Sequence, residues 1–434
     1  MRTISHSRVL KIAVPIVLSN ATVPILGAVD TGVVGQLGQA APIGAVGLGA
    51  IVLVSIYWIF GFLRMGTSGL VAQALGAGDQ AEVAANLVRA LLVAAAAGLG
   101  LIALQVPLFA GAFALAPASD EVERLARDYM QIRVWGAPAT IGLYAVTGWL
   151  IALERTRAVL LLQLWMNGLN VLLDLWFVLG LGWGVEGVAI ATLLAEWSGL
   201  ALGLWLCRSA LAGGHWRDRA RVFDAVRLRR MLGVNGDIML RSVALQMSFT
   251  SFIFLAARMG DVTLAANQVL LQFLEITAYA LDGFAFAAES LVGQAVGARS
   301  RARVRRASIV TSQWGLGGAV LLALCFWLAG PVIIDLMTTA PGVRIEAREF
   351  LPWLAVAPLI GVASWMLDGI FIGATRTREM RNAALMSFAI YVVAVAILLP
   401  AYGNHGLWAA LMVLNTARGV TMGALYPRVE RAAA

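Results

Sequence analysis

Charge is scarce in this chain. Only 13% of its 434 residues are Asp, Glu, Lys or Arg, while 60% are hydrophobic; a soluble protein carries about 25% charged residues. Soluble cores stop growing at about 250–300 residues, so one core cannot absorb this much apolar surface. The shortage of charge excludes a soluble enzyme, a nucleic-acid-binding protein and a disordered chain. It leaves a polytopic helical membrane protein. Lysine is nearly missing: of 32 basic residues, Lys11 alone is not arginine. Cysteine is rare. Cys207 and Cys325 lie in or beside apolar runs and read as free thiols rather than a disulfide. The three histidines, His6, His215 and His405, fall in predicted tails or loops and form no metal-ligand cluster. There is no phosphate-binding glycine loop and no Walker motif. The sequence therefore implies no cofactor, and without an ATP site any solute movement through such a chain runs on an ion gradient or downhill.

What is present is a series of long apolar runs. A β-barrel would alternate apolar and polar residues over about 10 positions; here continuous stretches of about 20 recur. Twelve spans are predicted, over 9–35, 43–70, 86–110, 127–152, 158–182, 186–207, 231–257, 262–292, 306–330, 349–374, 380–400 and 404–426. The first follows Arg2, Arg8 and Lys11 but is longer than the roughly 7–15 apolar residues of a signal peptide. It is read as a span.

Basic residues orient the spans. With an even number of spans the termini share a side. If that side is the cytoplasm, 23 of the 32 basic residues lie inside, among them seven arginines in 208–230 and five in 299–306. Six lie outside: Arg124, Arg127, Arg133, Arg258, Arg344 and Arg348. Both termini are thus expected in the cytoplasm. The arginine run in 208–230 reads as a topology determinant between two halves, in preference to a lipid- or nucleic-acid-binding patch.

The halves repeat. Leu70-Val71-Ala72-Gln73-Ala74-Leu75-Gly76-Ala77 matches Leu291-Val292-Gly293-Gln294-Ala295-Val296-Gly297-Ala298 at six of eight positions, offset by 221. Arg155-Thr156-Arg157 matches Arg376-Thr377-Arg378 at the same offset, and Gly184 and Gly187 match Gly403 and Gly406 at 219. Six spans per half make the repeats parallel, the arrangement of a rocking-bundle secondary transporter. The expected fold is all-α: twelve transmembrane helices in two parallel six-helix bundles. The expected domains are a lobe at 1–207, an Arg-rich linker at 208–230 and a lobe at 231–434.

Ionisable groups inside a bilayer are costly and are candidate functional residues. Asp30 lies in the first span after Pro15 and Pro24, which each remove a backbone hydrogen bond. Asn170 and Asp174 share a face of the fifth span. At about 1.5 Å per residue, Asp30, Asp174 and Thr192 of the sixth span lie within roughly 7–14 Å of the outer helix ends, so they can converge. The repeat partners of Asp30, Asn170 and Asp174, near Ser251, Ile390 and Ala394, lack these acids, so the scaffold does not demand them. Burial favours the neutral form of a carboxyl group, which suits proton exchange near neutral pH. The same oxygens suit Na⁺. The bland alternative is a pair of structural, hydrogen-bonded acids. In the eighth span Gln268, Glu275, Asp282 and Glu289 recur every seven residues and form one polar stripe. Asp237 and Arg241 are four apart in the seventh span and are expected to pair, with Glu275 or Asp282 as other partners for Arg241. These charges either lock the second bundle together or serve transport. Arg64, Glu196, Asp368 and Arg418 are expected to be mostly in structural pairs.

With these residues in hand, the chain resembles the multidrug and toxic compound extrusion (MATE) transporters. The resemblance rests on the two parallel six-span halves, an aspartate late in the first span and Asn170-xxx-Asp174 in the fifth. Asn235-Gly-Asp237-Ile-Met-Leu-Arg241-Ser242 and Leu367-Asp368-Gly-Ile-Phe-Ile-Gly373-Ala-Thr-Arg376-Thr-Arg378 look like its DinF branch. The resemblance implies two lobes that open alternately to either side and export organic compounds against H⁺ or Na⁺. It implies that Asp30 is the cation-coupling aspartate, that Asn170, Asp174 and Thr192 complete its site, and that the first span bends at Pro15. Asp237 and Asp368 lie in the spans that carry Na⁺ carboxylates in the NorM branch, but out of register. The expected protein is therefore a proton-coupled exporter of organic small molecules, monomeric, in a bacterial inner membrane. It has no nucleic-acid partner, and the lipid bilayer is its surroundings. Its rivals are a Na⁺-coupled form of the same fold, a lipid-linked precursor flippase, and a membrane enzyme or channel. A flippase needs a cationic cavity, whereas the span interiors here hold more acids than bases. No nucleophile–base pair or filter-like loop marks the last.

Overall fold

The computed structural model describes residues 3–24, 29, 32–33, 35–36, 40–115 and 118–433. Hydrocarbon offers no hydrogen bonds, so each spanning segment must satisfy its own backbone, and helices do so. Among the described residues, ten helices are long and apolar enough to cross a bilayer. They include α2 (Ala41–Gly76), α3 (Gln80–Ala103), α4 (Asp120–Ala152), α5 (Thr156–Gly180) and α6 (Gly184–Leu206). In the second half come α7 (Ala225–Ala257), α8 (Asp261–Gly297), α9 (Arg301–Met337), α10 (Pro341–Gly373) and α11 (Thr377–Arg431). The last, at 55 residues, is two spans in one run. Gly403 breaks it with φ 54° and ψ −132°, values outside the helical region. The first span begins as α1 (His6–Ala21), and its continuation lies partly outside the described residues. The expected twelve spans are thus accounted for.

The packing divides into two units. One comprises 18–71 and 79–231; the other comprises 1–17, 72–78 and 232–434. In the first unit Tyr57, Phe109, Tyr129 and Met130 centre the core. In the second, Phe252 meets Trp408 edge-on at 4.9 Å and Phe273 meets Phe326 at 5.2 Å. Cys207 and Cys325 are both free thiols, the first buried and the second exposed.

The repeat seen in the sequence is built into the backbone. After α4, Glu154 takes φ 59°; after α10, Thr375, 221 positions on, takes φ 50°. Each stands at the left-handed cap of a Schellman turn. Glu154 N–H donates to the Ile151 carbonyl at 2.9 Å and Arg155 N–H to Leu150 at 2.8 Å; Thr375 donates to Ile372 at 2.9 Å and Arg376 to Phe371 at 2.9 Å. Gly78 (φ 77°) and Arg299 (φ 51°) form a second such pair after α2 and α8. Close helix crossings repeat at the same offset. A Cβ on Gly148 would overlap the Arg64 carbonyl, and one on Gly369 would overlap that of Ala285. Gly76 lies against the Gln294 carbonyl, and Gly297 lies reciprocally against that of Gln73. No side chain fits at these crossings, because backbone fills the space.

Each half ends by folding its tail onto the start of its third span. In the first half, Arg89 of α3 is buried and donates to the carbonyls of Val222 at 2.9 Å and Arg221 at 2.7 Å, the last carbonyls of the short linker helix Arg219–Val222. A cation there complements the helix C-terminus. Arg221 donates to Asp79 at 3.1 Å, and Arg227 pairs with Glu82. In the second half the charges are reversed: Arg301 and Arg305 of α9 each donate to Glu430 at 3.0 Å. Part of the linker's positive charge is therefore consumed within the protein.

The crossings yield a stability prediction. Gly148→Val and Gly369→Val should each destabilise the protein by about 1–3 kcal/mol, the cost of overpacking. Gly100→Val should not, because nothing lies within 4 Å of a Cβ at that position. Thermal unfolding of the three variants in detergent checks this.

Candidate functional site

The fifth span carries more polar groups than its two expected members. Gln163, Asn167, Asn170 and Asp174 recur at i, i+4, i+7 and i+11, which is one helix face. Asn170 and Asp174 are buried, with 1% and 0% exposure. Asn170 Nδ2 donates to Thr192 Oγ1 on α6 at 3.1 Å, and Thr192 Oγ1 donates to the Val188 carbonyl at 2.9 Å. Two of the expected residues thus meet directly. Gln163 Nε2 donates to Asn167 Oδ1 at 3.0 Å, and Asn167 Nδ2 donates to Thr22 Oγ1 at 2.9 Å, just past the end of α1. Gln163, Asn167 and Thr22 were not singled out in the sequence, although the same-face spacing marks the first two.

Asp174 closes this stripe. Regular α-helix ends at Asp174, and a π-helical turn follows over Leu175–Gly180. Such turns recur at functional sites because they widen the backbone ladder. Trp176, Phe177 and Trp183 stack beside it, at 5.4 and 4.9 Å between centroids. Asp30 lies outside the described residues. Pro15 is buried inside α1, and Pro24 is exposed beyond that helix's end.

The remaining intramembrane charges fall mostly into pairs. In the first unit, Arg133 grips Glu196 through two hydrogen bonds of 2.7 and 3.0 Å, with side chains 7% and 11% exposed. Arg133, counted among the basic residues of the outer side, is buried at the end of the helix Asp120–Arg133. In the second unit, Asp368 of α10 accepts from both Arg241 of α7 and Arg418 of α11 on the same Oδ2. Asp237 accepts from Arg381 at 2.6 Å and from Thr377 at 3.1 Å. The expected Asp237–Arg241 pair is therefore not made. An i,i+4 pair within one helix is worth only about 0.2–0.5 kcal/mol. Buried charge-assisted contacts between helices are stronger and take precedence.

The eighth span does not carry one uniformly buried network. Gln268 and Glu275 are exposed, Asp282 is half-buried and Glu289 is buried. Beside this stripe sits a group the sequence reading missed. Asn267 and Asn404 exchange amide hydrogen bonds at 2.7 and 3.0 Å, and Trp408 Nε1 donates to Asn267 Oδ1 at 2.9 Å. This buried triplet ties α8 to the residue after the Gly403 break.

Comparison with known proteins gives the family. The MatE family model matches residues 15–176 and 238–398. The chain belongs to the MatE family. Its members are membrane transporters, not enzymes, so this is a multi-pass membrane transporter. The chain is 39% identical over 435 residues to the DNA damage-inducible protein F of Escherichia coli K12, covering 98% of this chain and 93% of that one. It is 28% identical over 427 residues to a probable multidrug resistance protein NorM of a Synechococcus species, covering 92% and 89%. A crystal structure of the Vibrio cholerae MATE transporter VcmN in the bent form shares the fold. The TM-score is 0.86 at 20% identity, over 99% of this chain and 97% of that one. The expected fold class and the likeness to the DinF branch are borne out.

The buried Arg133–Glu196 pair makes a separable prediction. Glu196→Leu should cost about 3–5 kcal/mol, because it strands a buried guanidinium. Adding Arg133→Met should recover most of that loss. A double-mutant cycle on thermal unfolding reads the difference.

Proposed function

We propose that this transporter exports organic compounds, cationic or amphipathic in character, against protons by alternating access. The proposed setting is a bacterial inner membrane with both termini in the cytoplasm, and the unit is a monomer. The two halves, 1–207 and 231–434, exchange access to a central path. The names of the relatives, which include multidrug resistance proteins, support the substrate class.

The observation that carries the coupling reading is the buried face of α5. Asp174 is fully buried at the end of an amide stripe whose members reach Thr192 on α6 and Thr22 beyond α1. A proton arriving at this depth changes the charge of a group that hydrocarbon disfavours when ionised. Asp30 is the proposed exchanger. On protonation from outside it loses its charge and changes partners among Asn170, Asp174 and Thr192. The first span then bends at Pro15 or Pro24 and substrate is released. A hundredfold bias between two conformations needs about 2.7 kcal/mol, the equivalent of two pKa units.

A second reading keeps the site and changes the ion. Carboxylate, amide and hydroxyl oxygens at one depth are hard donors of the kind that hold Na⁺. Efflux of a fluorescent organic cation from proteoliposomes separates the two. A pH gradient should drive efflux, and Asp30→Asn should abolish it while leaving reconstitution intact. Efflux driven by Na⁺ alone at fixed pH, with a protonophore present, would reassign the ion. Intact pH-driven efflux by Asp30→Asn would sink the proposed exchanger.

A further inference from the structure

We propose that Glu275 on α8 is the residue with which the carboxy-terminal unit recognises substrate, and that it selects bulky organic monocations. This rests on the exporter reading above and adds a specificity determinant to it.

Gln268, Gln272, Glu275 and Tyr279 recur at i, i+4, i+7 and i+11 and form one stripe. The first three are exposed and Tyr279 is half-buried. Glu275 stands ~21 Å along α8 from its start and ~33 Å from its end, far from both helix termini. A carboxylate exposed to hydrocarbon at such depth costs several kcal/mol. The face that carries it must therefore meet water inside the span.

Three of the other acids within the spans are answered by arginine: Glu196 by Arg133, Asp368 by Arg241 and Arg418, and Asp237 by Arg381. Among the described residues, no ion pair or hydrogen bond holds Glu275. Its charge is thus left to be met by something that comes and goes. The neighbouring groups narrow what that is. Tyr279, one turn on, offers an aromatic face to a weakly hydrated cation. Gln272 and Gln268 offer neutral hydrogen-bonding edges. One carboxylate is too few oxygens for a divalent metal, which takes six or more.

The repeat supplies the control. At offset 221, Gln272, Glu275 and Tyr279 correspond to Ile51, Val54 and Trp58 of α2, which are 68%, 59% and 46% exposed. The scaffold presents this helix face in both halves. Only the second half makes it polar and acidic, so the carboxylate is not a requirement of the fold.

The test is binding by the purified full-length protein. The probes are tetraphenylphosphonium, a permanent monocation, and triphenylphosphine oxide, a neutral analogue. Glu275→Gln should weaken tetraphenylphosphonium binding tenfold or more and change triphenylphosphine oxide binding by less than twofold. Glu275→Asp should restore most of the loss. Unchanged tetraphenylphosphonium affinity in Glu275→Gln would overturn the proposal. So would equal losses for both probes, which a merely structural role predicts, or a wild-type protein that binds neither. Proton-driven efflux by the wild type, measured in parallel, reports on the exporter reading alone. Charge-selective binding lost at Glu275 stands or falls separately from it.

Discussion

A charge buried at hydrocarbon depth must be met from within the protein, and that requirement organises the helices. Arg133 and Glu196 lie 63 positions apart and are held together by it. Asp368 draws Arg241 from α7 and Arg418 from α11 onto a single carboxylate oxygen, so three helices are pinned at one point. The same demand places Arg381 on Asp237. Among the described residues, two polar faces stand apart from these arginine pairs: the amide and acid face of α5, and the exposed stripe of α8.

The two halves share a backbone but not a chemistry. Schellman turns, positive-φ residues and carbonyl-to-glycine crossings recur 221 positions apart. The acids and amides inside the spans do not. The first half places its buried acid and amides on α5, and the second places its exposed carboxylate on α8. Near-symmetric scaffolds tolerate such divergence because the crossings depend on backbone contact and leave the facing side chains unconstrained. The residues proposed for coupling and for recognition are thus departures from the repeat.

Hydropathy and the repeat made much of this readable from sequence. Span number, the Gly403 break at a predicted loop, and the Asn170–Thr192 meeting all followed from period and depth. The failures have one cause. Local spacing suggested Asp237 with Arg241, but partner choice is decided between helices, where sequence distance carries no information. The Asn267–Asn404 exchange spans 137 positions and has no local signature. The burial of Arg89 likewise has no local signature, because it depends on where the linker residue Val222, 133 positions on, folds back.

The opposite polarity of the two tail contacts has a consequence for assembly. A chain with two similar halves risks docking a tail on the wrong half while it inserts. The linker carries Arg221 and Arg227 to Asp79 and Glu82, whereas the final segment carries Glu430 to Arg301 and Arg305. Exchanged, arginine would meet arginine and carboxylate would meet carboxylate. Like charges brought together oppose the wrong partner as firmly as the right pairs favour the native one. The reversal acts as a key that lets each half of a duplicated chain accept only its own tail.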